Sequence, residues 1–306
     1  MHKSFTIVGL GEAVFDVFPD KEVLGGTSLN VAVQAHQLQL SLGGRGVLLS
    51  RIGNDDLGKR LQNEFDNRDL PLEFVQVDQE KPTGQVLVSF IEGAPSYEIV
   101  QDTAWDFLKF TEHEADLAAV CDAVSFGSMS QRHHVSHEAT QAFLSEASKA
   151  LKIFDVNLRM DLFTRQILDE GCRVANLVKL NDEEIGTVAS LLDLPSGNAS
   201  EQSEAICEKY DLEGVVFTRG KRGTAAFTSK GWVEGASASF PLAENADSVG
   251  AGDACTAALL TARLLGRSWQ KSLDMANQHG AFVASQPGAT PHLPPEILEL
   301  FKLLED

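Results

Sequence analysis

Cysteine is scarce in this chain, and positive charge is short. The 306 residues hold only four cysteines, Cys121, Cys172, Cys207 and Cys255, widely and irregularly spaced with no CxxC pair. That spacing argues against a disulfide framework or a thiolate metal site and for reduced thiols in a cytosolic protein. Lysine and arginine number 25 against 44 aspartates and glutamates, a formal net charge of −19. A field of that sign repels nucleic-acid backbones and anionic lipid, so neither is an expected partner. It also means that a phosphate-bearing ligand needs a local cluster of donors and a divalent cation. Long apolar runs are missing as well. The longest with helical character, Ala254 to Leu265, is too short for a bilayer and carries Arg263. Met1 to Thr6 lacks the basic-then-apolar pattern of a leader. With 43% hydrophobic residues and glycine well ahead of proline, 25 to 10, the composition excludes a disordered or fibrous chain.

What is present is mostly strands alternating with amphipathic helices, the pattern of a parallel sheet covered on both faces. The expected strands are Phe5–Leu10, Val47–Ile52, Ala123–Phe126, Ile153–Val156, Leu177–Leu180 and Gly214–Thr218. The expected helices are Ser28–Leu38, Asp55–Asn67, Ser136–Leu151, Thr164–Val174, Asp182–Leu192, Gly252–Leu265, Trp269–Ser285 and Pro295–Leu304. Two regions break the alternation. Glu12–Leu24 carries alternating apolar residues, and Gln85–Glu92 turns through Gly93-Ala94-Pro95-Ser96 into Tyr97–Val100 as an antiparallel hairpin. Together these predict a small β-lid, about residues 12–25 and 83–104, over a single domain that spans residues 1–306. Ala104-Trp105-Asp106-Phe107-Leu108 anchors the return from it. Phe90 and Tyr97 on the hairpin either cover a ligand or pack the lid.

Two familiar nucleotide motifs fail. Gly9-Leu10-Gly11-Glu12-Ala13-Val14 follows a strand, but Val14 stands where a dinucleotide fingerprint needs its third glycine, and Glu12 would face pyrophosphate. Gly53-Asn54-Asp55-Asp56-Leu57-Gly58-Lys59 has P-loop spacing, but Arg60 replaces the magnesium-binding Ser or Thr, so capping by Asn54 or Asp55 explains it better. The strongest constellation is Asp247-Ser248-Val249-Gly250-Ala251-Gly252-Asp253, running into an apolar helix. Small residues there let the backbone N–H groups of Gly250, Ala251, Gly252 and Asp253 converge on an anion, which suits a transferring γ-phosphoryl group. Asp253 in the first turn is placed to accept a hydroxyl proton, or else it merely complements the helix dipole.

On these residues the chain resembles the ribokinase-like (PfkB) carbohydrate kinases over nearly its whole length, with the fructokinases nearest in appearance. The Asp-Thr-x-Gly-Ala-Gly-Asp signature of that family is matched with Ser248 in place of Thr. The N-terminal Gly-Gly…Asn signature reads Gly25-Gly26-Thr27-Ser28-Leu29-Asn30, with Ser28 where Gly, Ala or Pro is usual and Gln39 where a Gly commonly ends the helix. Gly11-Glu12 with Asp16, Asp155-Val156-Asn157-Leu158-Arg159, Asn181-Asp182-Glu183-Glu184 and Thr218-Arg219-Gly220 with Gly223 follow in the family's order.

The resemblance implies a three-layer α/β/α sandwich with a mainly parallel central sheet and a small β-lid. It implies transfer of the γ-phosphoryl group of ATP to a sugar's primary hydroxyl, fructose first, with ribose, 2-keto-3-deoxygluconate and nucleosides as runners-up. Asp16, Gly26, Asn30 and Arg159 would bind the sugar, and Asp253 would act as base. Asn181, Thr218, Gly220, Gly223 and Asn277 would border the nucleotide. Glu184 would hold magnesium through water, and Asp247, with the backbone near Val249, Ala284 and Gly288, resembles a potassium site. Each has a plainer reading: Asn30 as a helix cap, Arg159 in a surface ion pair, Glu184 as dipole complement, Asp16 in a turn or edge strand. Arg219, Lys221 and Arg222 offer positive charge to a triphosphate or form a solvated turn. A non-catalytic sugar sensor of the same fold is the alternative class. Unpaired lid edges point to a homodimer.

Overall fold

The computed structural model describes residues 4–91 and 94–302. Thirteen strands form two sheets among these residues: β1 (Thr6–Leu10), β2 (Val14–Val17), β3 (Glu22–Gly25), β4 (Arg45–Gly53), β5 (Val75–Asp78), β6 (Gly84–Ile91), β7 (Ala94–Ile99), β8 (Ala123–Gly127), β9 (Leu151–Asp155), β10 (Leu177–Asn181), β11 (Gly214–Thr218), β12 (Thr224–Thr228) and β13 (Gly231–Glu234). The larger sheet runs β13-β12-β11-β10-β9-β8-β1-β4-β5, with every strand parallel except β12, which is antiparallel to both its neighbours. The smaller runs β3-β2-β6-β7, with β2 and β6 parallel and the other pairs antiparallel.

The helices are α1 (Thr27–Leu40), α2 (Asp56–Asp66), α3 (Glu112–Val120), α4 (His134–Glu146), α5 (Arg165–Val174), α6 (Ile185–Leu191), α7 (Ala199–Tyr210), α8 (Ala251–Leu264), α9 (Trp269–Val283) and α10 (Pro295–Glu299). Strands of the large sheet are apolar on both faces, as a sheet sandwiched between helices requires. Ile7, Ile153, Leu177 and Val216 pack with α1, α8 and α9. Their chain neighbours Val8, Phe154, Val178 and Val215 pack with α3 to α7 on the other face. The architecture is therefore the expected three-layer sandwich. No helix among the described residues is long and apolar enough to cross a membrane.

Differences from the sequence reading have local causes. The expected helix Ser136–Leu151 ends at Glu146, because Ala147 to Ala150 turn and Leu151 already pairs with β8. The last helix stops at Glu299 rather than Leu304, beyond which residues 303–306 lie outside the described ones. Ala94, Pro95 and Ser96, expected in the hairpin turn, belong to β7 and pair with Ile91, Phe90 and Ser89; Gly93 and the side chain of Phe90 lie outside the described residues. Asp55, not Asn54, caps α2, accepting from Gly58 N at 2.8 Å. The return from the small sheet is anchored as expected. Trp105 is buried under the Arg132 guanidinium, and Asp106 pairs with Arg132 at 2.8 Å.

After β1 the chain moves to β4 and β5 on one side, then returns to β8 on the other. Loops leaving β1 and β8 therefore diverge to opposite faces, opening a crevice at the carboxyl ends of the strands where sheets of this kind bind ligands. The small sheet grows directly from the end of β1.

Candidate active site

Three chain segments converge at that crevice. The first is the start of α1. Gly26 occupies its N-cap with φ +111, and a Cβ there would lie 2.7 Å from the Glu12 carbonyl oxygen. Only glycine lets β3 turn into α1 this close to the β1 connection. Asn30 N donates to Gly26 O, so Asn30 stands one turn into the helix and is not its cap. Its side chain reaches across to α8, where Nδ2 donates to Asp253 Oδ2 at 2.7 Å. Asn30 Oδ1 is buried without a partner among the described residues, an acceptor left for a hydroxyl group.

The second segment is the start of α8. Gly250, the N-cap, has φ +74 and packs its Cα against Ala289; Asp253 lies in the first turn. The N–H groups of Gly250, Gly252 and Asp253 have no partner among the described residues, while Ala251 N turns back to Ser248 O at 3.3 Å. Three of the four expected donors are thus free to meet an anion at the positive end of a helix of 14 residues. Asp253 is half-buried at the crevice. Desolvation pushes its carboxyl group up to about 6; Lys179, the Asn30 hydrogen bond and Arg159 oppose this, and Asp155 adds to it.

The third segment comprises the ends of β9 and β10, whose parallel register sets Asp155 beside Lys179. Lys179 Nζ donates to Asp155 Oδ2 at 2.5 Å in a buried ion pair. Arg159 is not at a strand end: it stands four residues beyond β9, exposed, and faces Asp253 with its charge. Asn157 adopts φ +38 and donates from Nδ2 to Thr27 Oγ1 at 2.7 Å, tying this loop to the start of α1. Glu184 occupies the N-cap position of α6, but its side chain makes no capping hydrogen bond to that helix. Its two oxygens accept from Leu158 N and Asn181 N, both at 2.9 Å, which joins the β9 and β10 loops. Burial, then the nearby Asp155 charge, raises its pKa.

Asp16 lies within β2, and burial raises the pKa of its carboxyl group. It has no hydrogen bond among the described residues, and a Cβ on Gly25 would sit 3.3 Å from its Oδ2. The small sheet therefore hangs this carboxylate above the Gly25-Gly26 turn. On the other side, Asn181 and Thr218 are register partners on β10 and β11. Gly220 and Gly223 take positive φ in the turn that follows. Asn277 on α9 is tied into that wall: Oδ1 accepts from Thr224 N and Oγ1, and Nδ2 donates to Ala236 O. The charges of Arg219 and Arg222 are matched by Glu234 and Asp182, which leaves Lys221 without such a partner in this turn. Asp247 stands apart at the base of α8, its oxygens accepting from Val249 N and Gly288 N.

Two groups at the site were given no role from the sequence, although Glu12 stands in the Gly11-Glu12 landmark. Glu12 is 2% exposed and accepts from Thr27 N at 3.0 Å. Burial, reinforced by Asp253, raises it to about 7 against the opposing backbone N–H groups. Lys179 had a visible signal, a lone lysine in the otherwise apolar run Leu177-Val178-Lys179-Leu180. Carboxyl groups crowd this crevice, and its cations are few.

The family model for the pfkB family carbohydrate kinases matches residues 10–296. A fructokinase of Salmonella typhimurium is 28% identical, with 93% of this chain and 95% of that protein covered. Among solved structures, an uncharacterized sugar kinase of Pyrococcus horikoshii is 25% identical with a TM-score of 0.74 over 93% of either chain. A Xylella fastidiosa fructokinase with bound ATP has a TM-score of 0.84 at 22% identity, over 97% of this chain and 98% of that one. A match from the end of β1 to α10 takes in the glycine turn, the Asn30–Asp253 contact and the open amides of α8, and the chain accordingly belongs to the pfkB family of carbohydrate kinases.

Proposed function

We propose that this sugar kinase transfers the γ-phosphoryl group of ATP to the primary hydroxyl of fructose. The observation that carries the reading is the 2.7 Å contact between Asn30 and Asp253, which sets a hydroxyl-binding amide and a proton acceptor side by side at the free amides of α8. A sugar held by Asp16, the Gly26 backbone, Asn30 and Arg159 would present its hydroxyl oxygen to Asp253. The carboxylate takes the proton as the oxygen attacks, and the N–H groups of Gly250, Gly252 and Asp253 stabilise charge on the moving phosphoryl group. Asn181, Thr218, Gly220, Gly223 and Asn277 would border the nucleotide. The small sheet closing over the sugar excludes water and suppresses ATP hydrolysis.

Glu12, Asp16, Asp155, Glu184 and Asp253 outnumber Lys179 and Arg159 in the crevice and Lys221 in the turn after β11, so the nucleotide would enter with a divalent cation. Each Glu184 oxygen accepts one backbone N–H and keeps a lone pair, which fits water-mediated contact to magnesium. Magnesium supplies neutralisation of the phosphate oxygens. Asp247, beside Val249 and Gly288, would serve a potassium ion near the base of α8. Four free thiols and a substrate pair of ATP and free sugar fit a cytoplasmic protein. The outer strands β3 and β7 of the small sheet, with Val23 and Tyr97 exposed, would pair with a second copy to form a homodimer.

Fructose is favoured over ribose, 2-keto-3-deoxygluconate and nucleosides because the curated fructokinase relative aligns over nearly both full lengths. A panel of these four acceptors with ATP and magnesium, with and without potassium chloride, tests the choice through ADP release. The expected result is the highest kcat/KM with fructose. A tenfold preference for another acceptor replaces fructose, and sugar binding without ADP release would make the chain a sensor.

A further inference from the structure

We propose that Lys179 is a positioning residue of the phosphoryl transfer: its ammonium, pinned by Asp155 beside the first turn of α8, keeps the Asp253 carboxyl group ionised and directed at the anion-binding amides. The inference rests on the reading of Asp253 as the proton acceptor.

Strand alternation and register place the pair. Leu177 and Ile153 point to the layer that contains α8, and Lys179 and Asp155, two residues further along their strands, point the same way. They are direct neighbours in parallel register, 2.5 Å apart, with side chains 8% and 4% exposed. A Cβ added to Gly252 would lie 3.5 Å from Lys179 Nζ, so the ammonium stands against the first turn of α8, one residue from Asp253. A buried ion pair is weak evidence for stability, because desolvation offsets much of the attraction. Strands this apolar would hold an aliphatic pair at least as well. What an aliphatic pair would not supply is a fixed positive charge facing Asp253.

That charge has little competition. Asp253 faces Lys179 and Asp155 from the sheet, Asn30 from α1, Glu12 from the end of β1, Arg159 from the loop after β9 and Cys255 from its own helix. Glu184 looks onto the Asp155–Lys179 pair from the start of α6. Only Lys179 and Arg159 among these are cationic, and Arg159 is exposed to solvent that screens it. Lys179 is the largest influence holding the Asp253 pKa down, whereas Asp155 pushes it up. Burial would discharge the ammonium, but Asp155 and Asp253 outweigh it and the lysine pKa is raised. The two members of the pair therefore act on Asp253 with opposite sign.

Opposite sign is the test. The acid limb of kcat/KM against pH reports the free enzyme's base. Lys179→Met should move that limb up by about one pH unit, which is about a tenfold loss at low pH. Most of that loss should be recovered at high pH, with ATP affinity unchanged. Asp155→Asn should move the limb down, and Lys179→Arg should leave it in place. If Lys179→Met does not fold, Asp155→Asn/Lys179→Met removes both buried charges together, and its limb should lie above that of the wild type. A merely structural pair predicts losses uniform in pH; limbs that stay put, or move the same way in both single variants, overturn the proposal. If the wild type forms no sugar phosphate, or Asp253→Asn keeps full turnover, the reading of Asp253 itself fails. If Asp253→Asn is inactive and only the Lys179 limb is unmoved, the inference alone fails.

Discussion

Replacing Asp253 with Asn should lower kcat by about 10²–10⁴-fold, the usual range for removing a general base. ATP affinity should change little, because the open amides of Gly250 and Gly252 are main-chain groups that the substitution leaves in place. The variant should also fold. An amide has nearly the shape of the carboxyl group, and its oxygen can still accept from Asn30 Nδ2 across the present 2.7 Å contact. The wild type carries its own signature of the same group. With the carboxyl group raised to about 6 by desolvation, kcat/KM should fall tenfold per pH unit below that value and level off above it. In the variant that limb should vanish along with the activity. Steady-state kinetics from pH 5 to 9 with ADP detection decides it, and an unchanged turnover number in the Asn variant removes Asp253 as the base.

The second large effect comes from the glycine in front of it. Gly250→Ala puts a methyl group 2.6 Å from Ala289 Cβ and from its carbonyl oxygen, a distance that backbone cannot tolerate. The residue also sits at φ +74, where a side chain costs about 1–2 kcal/mol. Either the first turn of α8 or the segment around Ala289 must move, and Gln34 Nε2 already holds that segment by its carbonyl at 3.0 Å. Misplacing the amides removes preorganised donors, and the loss of even one such donor is worth about 10²–10³-fold in kcat. We expect at least about 10²-fold here, together with a melting temperature lowered by several degrees. Gly186→Ala, where a Cβ meets nothing within 4 Å, is the matched control and should behave as wild type. Full activity in Gly250→Ala would mean that these amides do not carry the phosphoryl group.

Much of this was legible because it is local. The Gly-Ala-Gly-Asp run and the Gly25-Gly26 turn announce themselves by small residues immediately before apolar helices, and the structure puts a helix N-terminus at each. Gly214–Thr218 is reproduced to the residue, since it is a short apolar run buried in the sheet up to the half-buried Thr218. What the sequence did not disclose is mostly long-range. Asn30 and Asp253 are 223 residues apart, and the residue types alone allowed a cap as well as a cross-layer contact. The Asp155–Lys179 pair depends on strand register, and each member on its own reads as an isolated charge. Strands β12 and β13 were missed because Thr-Ala-Ala-Phe-Thr shows little alternation and its apolar residues are small. Helix α7 had a signal that went unread, Asn198 three residues before Glu201, which form a reciprocal cap.

The most direct measurement is a crystal structure of Asp253→Asn with fructose, magnesium and a non-hydrolysable ATP analogue. The account predicts a primary hydroxyl oxygen within hydrogen-bonding distance of both residue 253 and Asn30, with the terminal phosphate on the N–H groups of Gly250 and Gly252. A terminal phosphate bound away from the start of α8, or a sugar that turns no hydroxyl toward residue 253, would contradict it.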